Sequence, residues 1–227
     1  MNRGQIREEA RILLAEVTKS ASYFEDSDLN HFINEGIHDI CMTGLVYESV
    51  STISVTSGVT AYSLPSDFIR ANVVLDPNGN SLTPINPSDL GRYFKAADTT
   101  NVTPAYWYVW GNDIYLVPTC AGTGAGNYPL YYYALDSDLA SDTSSPNFPT
   151  RYHKYLVLFV CYRALMKARQ WNDAYGFALE YSKALNVTID RYVARFPAEF
   201  RVSGILPPLT TTATPAQVVS QTQTPSR

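Results

Sequence analysis

The chain has 227 residues, 45% of them apolar and 17% charged, with a formal net charge of −4. That length suits one large domain, or one domain carrying an insertion, and allows a sizeable core without disulfide or metal staples. The acidic balance argues against a stand-alone nucleic-acid binder, which needs a basic face to neutralise phosphates.

The first predicted element runs from Arg3 to about Thr18, with Ile6, Ala10, Leu13, Leu14 and Val17 at helical spacing. These form one apolar stripe on an otherwise charged helix, unlike the apolar run of a secretion signal. A loop follows, and Ser27 is placed to cap a second helix, with Asp28 adding negative charge at its positive end. That helix presents Leu29, Phe32, Ile33, Ile37, Ile40 and Cys41, with Gly44 as its expected stop. From Tyr47 to about Leu135 the chain is rich in Val, Ile, Thr, Tyr and Trp, with frequent turn residues. Five to seven strands are predicted there, mostly antiparallel because the connections are short. Pro87 to Leu90 reads as a short helical start. Tyr106 to Val117 reads as a hairpin whose turn residues, Gly111 and Asn112, both suit positive φ.

Helical character returns after Pro149, with Thr150 as a candidate cap and a helix running to about Gln170. Its centre, Tyr155 to Leu165, is apolar on nearly every side, which predicts burial. The stretch holds Arg163 and is too short to span a bilayer, so no transmembrane helix is expected. A last helix opens at Asn172 and Asp173 and runs to about Arg195, with Tyr175, Phe177, Ala178, Tyr181, Leu185, Ile189, Tyr192 and Val193 at helical spacing. From Arg201 onward Pro, Thr, Ser and Gln dominate, with no acidic residue and no Lys. Such a segment cannot bury enough surface to fold alone. It is either a disordered tail or an arm that orders on a neighbour, anchored by Ile205, Leu206, Leu209, Val218 and Val219. The layout predicts an α+β protein: residues 1–45 and 146–200 supply an antiparallel four-helix bundle, 46–145 a mostly antiparallel β-rich insertion, and 201–227 an extended arm.

No catalytic constellation stands out. His38 and Cys41 are three apart on a helix and could touch one metal, but a zinc site needs about four ligands and no second pair is nearby. No nucleophile-elbow, zincin, Walker-type or dinucleotide-binding motif occurs. Asp26 with Asp28, and Asp136 with Asp138, lack the glycine turn and distal Glu of a calcium loop, and read as caps and solvated loops. No cofactor is expected. Two carboxylates can converge from anywhere in a chain, but no pair is singled out. The three cysteines include no CxxC pair, which fits a reducing environment.

Alternation puts Tyr106, Tyr108 and Trp110 on one face of a strand. Such a platform can stack sugars or bases, or serve as sheet core or oligomer interface. Without interleaved basic residues the core or interface reading is preferred. Arg163, Lys167 and Arg169 cluster near the end of the third helix. They either complement its dipole or line a channel for DNA.

The N-terminal helix pair, the stretch YSLPSDFIRANVV, the hairpin PAYWYVWGNDIYLVP and the helix in SPNFPTRYHKYLVLFVCYRALMKARQ together resemble the head–tail adaptor (head-completion or connector) proteins of tailed bacteriophages. The resemblance covers about residues 1–200 and rests on the order and texture of elements. It implies a structural virion protein, not an enzyme, assembled in the host cytoplasm with no membrane. It further implies a ring of identical subunits, usually twelve, that joins the portal protein to tail or head-closure proteins and lets DNA pass with transient contact. A C-terminal extension that inserts along the portal would correspond to residues 204–227 by position and composition. The residue-based alternatives are an aromatic-rich carbohydrate- or receptor-binding module and an enzyme with dispersed carboxylates.

Overall fold

The computed structural model describes residues 1–15, 23–93 and 102–194. In chain order these form α1 (Arg3–Leu13), α2 (Asp26–Gly44), β1 (Glu48–Val55), β2 (Ala61–Ser63), β3 (Phe68–Val74), β4 (Thr83–Pro84), α3 (Leu90–Tyr93), β5 (Tyr106–Trp110), β6 (Asp113–Val117), β7 (Gly126–Ala134), α4 (His153–Lys167) and α5 (Trp171–Ala194).

Local chemistry explains most boundaries. α1 starts with a capping box: Asn2 Oδ1 accepts from Gln5 N at 2.9 Å, and Asn2 N donates to Gln5 Oε1 at 2.9 Å. It ends at Leu13, earlier than its periodicity predicts, and Leu13 is largely exposed. The buried positions are Ile6, Arg7, Ala10 and Arg11, so half of the buried stripe is charged. Val17 lies outside the described residues. α2 begins one residue before the expected cap. Glu25 is its N-cap, and Ser27 sits in the first turn, donating to Glu25 Oε2 at 3.3 Å. The helix ends at Gly44, as expected, and Leu45 after it is the C-cap, in the left-handed conformation with φ 48°. Thr150 opens a 3₁₀ turn (Thr150–Tyr152) ahead of α4 and does not cap it. In the β5–β6 turn positive φ occurs at Gly111 and not at Asn112. A two-residue loop with that pattern is the type II′ arrangement, which matches the natural twist of a hairpin.

The seven strands form two sheets, with orders β1-β7-β3 and β2-β6-β5-β4. Pairing is antiparallel except for β4 with β5. Both sheets contribute to one apolar core that includes Ile53, Val74, Trp107, Ile114, Leu116, Tyr128 and Leu130. A second core lies among the helices and includes Ile6, Leu29, Ile33, Ile37, Leu156 and Val160. Tyr47 packs against both.

The expected antiparallel four-helix bundle is not formed. The described residues make five helices and two sheets, a mixed α+β arrangement. The physical reason lies in α4. It is apolar around most of its circumference and so sits inside the helical layer, packed on α1, α2 and α5 together. The flanking helices differ too much in length to be equivalent walls: α1 has 11 residues, α2 has 19 and α5 has 24. Part of the remaining surface is closed by non-helical residues, with Leu139 and Phe148 fully inside the same core.

Candidate interaction surfaces

The aromatic hairpin separates two roles along one strand. Trp107 points into the sheet core, 7% exposed, and its indole N–H donates to Leu82 O at 3.2 Å. Tyr106, Tyr108 and Trp110 occupy the opposite face, as alternation predicts. Tyr108 stacks on Tyr115 of β6, with centroids 4.9 Å apart and planes 8° from parallel. Burial, and then the neighbouring Tyr115, raises the Tyr108 phenol above its usual range. Trp110 stands at the hairpin end with 66% of its surface exposed. One face of the hairpin is therefore core, and the other is a polar-tipped aromatic surface.

The basic cluster on α4 is largely paired. Arg163 Nη2 lies 2.7 Å from Glu35 Oε1, and its Nε donates to Glu35 Oε2 at 3.0 Å, a bidentate pair with α2. Lys167 pairs with Asp28, also on α2. Arg169 is exposed and follows the helix end in a left-handed conformation, with φ 59°. Two of the three cations thus tie α4 to α2 as well as offering charge to solvent.

A second basic group was not legible in the sequence. Arg3, Arg7 and Arg11 recur at four-residue spacing on α1, and Arg7 and Arg11 are buried. Asp142 receives Arg7 Nη2 at 2.7 Å and Arg3 Nη2 at 2.8 Å. Arg11 Nη2 donates to Asp26 Oδ1 at 2.7 Å and to Phe24 O at 2.8 Å, and Arg7 Nε lies 3.3 Å from Asp26 Oδ1. The hydrogen bonds from Arg7 and then Arg3 hold the Asp142 carboxyl down at about 2, and Asp142 raises Arg7 in turn. The column clamps α1 to the start of α2 and to the loop before α4. The four-residue period was the available signal, but a charged period normally marks a solvated face.

The remaining chemistry-bearing groups have structural partners. Asp136 is buried and accepts from Ser137 N, Asn147 N and Asn147 Nδ2 at 2.7–2.8 Å. His38 Nε2 lies 3.1 Å from Asp138 Oδ1, at a cleft of about 430 Å³ that Tyr47, Asp67 and Asn147 also line. Cys41 turns into the helical core instead, where burial raises its thiol to about 11. Burial raises the Cys161 thiol to about 12 and lifts Cys120 as well, and all three cysteines are unpaired. Among the described residues no group of three or more His, Cys, Asp or Glu could hold a metal ion, and no helix is long and apolar enough to cross a membrane.

Two exposed surfaces are not packed against any other element among the described residues. Trp171, Tyr175 and Leu179 recur at four-residue spacing on α5, 58%, 69% and 43% exposed. Of the residues at helical spacing on this helix, Tyr181 and Leu185 are buried, together with Ala174, whereas Tyr175 is exposed. The outer edge of β1 is the other surface. The proposed arm anchors, Ile205, Leu206, Leu209, Val218 and Val219, lie outside the described residues.

Compared with known proteins, the chain matches the model of a family described as SU10 adaptor protein over residues 1–215. No curated protein matches it.

Proposed function

This chain belongs to the SU10 adaptor protein family, a family of phage head–tail adaptors, and from that membership we propose that it is one subunit of a homo-oligomeric ring joining the portal protein to the tail. The coarser role, a structural adaptor component of the bacteriophage virion, follows from the family itself. The match over residues 1–215 is the observation that carries the reading.

In this reading the work is done by surfaces. The exposed Trp110 with Tyr106 and Tyr108, and the Trp171–Tyr175–Leu179 stripe, present aromatic area with polar tips. Side chains of this kind are enriched where protein surfaces become interfaces. They are assigned to contacts between neighbouring subunits or with tail proteins. Ile205, Leu206, Leu209, Val218 and Val219 are assigned to an arm that docks on neighbouring virion proteins, the portal included. Arg163, Lys167 and Arg169 are assigned to the lining of the DNA passage. Pairing of Arg163 with Glu35 and of Lys167 with Asp28 lowers the net positive charge there, which favours passage over gripping. Assembly is assigned to the host cytoplasm.

The test is to mix the purified full chain with the portal of the same phage and follow co-sedimentation and particle images. Rings seated on portal are expected. A chain that stays monomeric and never sediments with portal refutes the reading.

A further inference from the structure

An open row of backbone N–H and C=O groups on a sheet edge pairs with whatever extended chain it meets, so natural edges are usually blunted. Three of the four edges here are. β2 has three residues, and β4 has two, the second being Pro84. β3 carries register shifts at Phe68/Arg70 and Ala71/Val73, presents Arg70, and runs into Asp76 and Pro77. β1 has none of these devices. Its eight residues pair with β7 in one uninterrupted register and include no Pro, Lys or Arg.

The phase of that pairing is fixed. Tyr47 O accepts from Ala134 N at 2.9 Å, so the odd-numbered residues that follow turn their N–H and C=O groups toward β7. Val50, Thr52 and Ser54 turn theirs outward, and no described residue's backbone pairs with them. All three side chains are exposed, Val50 by 57%.

We propose that the outer edge of β1 is the docking site for this chain's own C-terminal segment, residues 216–224, which adds to the three-stranded sheet as a further strand. Pro215 and Pro225 delimit this run, and AQVVSQTQT between them is free of proline and charge. Its nine residues are enough to cover the eight-residue edge. In an extended run Val218, Ser220, Thr222 and Thr224 fall on one face and Gln217, Val219, Gln221 and Gln223 on the other, so each face carries one valine among small or amide side chains that an exposed sheet edge accepts. The roughly 20 residues between Ala194 and this run can span up to about 70 Å, enough to reach β1 of the same chain or of an adjacent copy. The proposal rests on the reading of the C-terminal stretch as a docking arm, and on neither the ring nor the portal.

The test compares amide hydrogen exchange, at single-residue level, in the full chain and in its Val218→Pro/Ser220→Pro variant. Both substitutions leave residues 1–194 unchanged in sequence. In the full chain the amides of Val50, Thr52 and Ser54 are expected to exchange at least about tenfold more slowly than unpaired amides. In the variant they should lose that protection, while Ser51 and Ile53, bonded to β7, keep theirs. Protection that fades on dilution assigns the added strand to a second copy, and protection that persists assigns it to the same chain; either supports the proposal. Unprotected amides in the full chain overturn it. So does protection that survives the two prolines, because some other element then covers β1. Co-sedimentation of the unsubstituted chain with portal is scored separately, so failure of the strand addition and failure of the adaptor reading remain distinguishable.

Discussion

Two helical glycines offer a matched test of how closely the helices pack. Gly36 on α2 faces α4, and a Cβ built there would lie 2.6 Å from Leu156 Cδ1 and 2.7 Å from Phe159 Cδ1. Carbon atoms pack at about 3.5–4.0 Å, so both side chains would have to retreat by roughly 1 Å. Neither has room: Leu156 is fully buried, and Phe159 is held edge-on against Tyr181 with centroids 5.3 Å apart. Overpacking of this kind costs about 1–3 kcal/mol, and replacing helical Gly by Ala returns about 1 kcal/mol. Gly36→Ala should therefore be destabilising by up to about 2 kcal/mol, and for a chain of this size Tm should fall by up to about 8 °C. Gly176 on α5 has nothing within 4 Å of its would-be Cβ. Gly176→Ala carries only the propensity gain and should raise Tm by about 2–4 °C. Thermal melts followed by circular dichroism read both. If Gly36→Ala stabilised the chain as much as Gly176→Ala, α2 and α4 would not approach as described.

Three further outcomes concern the ion-paired Asp142, the buried thiols and the two tryptophans of the hairpin. Asp142 has a folded value of about 2 against an ordinary 3.8, so its contribution to stability is complete above about pH 4 and is lost as pH falls toward 2. Asp142→Asn should lower the urea midpoint near neutrality, and the gap to the unsubstituted chain should close between pH 4 and pH 2; a gap independent of pH contradicts the clamp. All three thiols should react slowly with a disulfide reagent in the native chain and promptly in denaturant, because all are buried and shifted upward. Trp107→Ala should cost about 3–5 kcal/mol, measured by denaturant titration, whereas Trp110→Ala should stay within about 0.5 kcal/mol and weaken assembly instead. Equal destabilisation by the two would mean that the outer face of the hairpin is not free for docking.

The parts legible in the sequence were those governed by local periodicity and turn chemistry. Leu29, Phe32, Ile33, Ile37, Ile40 and Cys41, the apolar face predicted for α2, are buried, and the hairpin alternation places Trp107 inward and Trp110 outward. What escaped was set by contacts between elements distant in sequence. Nothing local says that Asp142 will meet Arg3 and Arg7, more than 130 residues away, and without that partner buried arginines on α1 are too costly to predict. The bundle expectation failed for a related reason. Periodicity gives each helix an apolar face but not a seat, and α4, apolar on most sides, takes the interior position that an even bundle does not contain. The same clamp bears on function. With Arg7 and Arg11 turned inward and Arg163 and Lys167 paired to α2, much of the positive charge holds the fold together. The large exposed side chains on α5 and at the hairpin end include Trp171, Tyr175 and Trp110, and among the described residues the outer backbone edge of β1 is open. Such a surface suits contact with protein better than contact with phosphate, which is the direction in which the acidic composition already pointed.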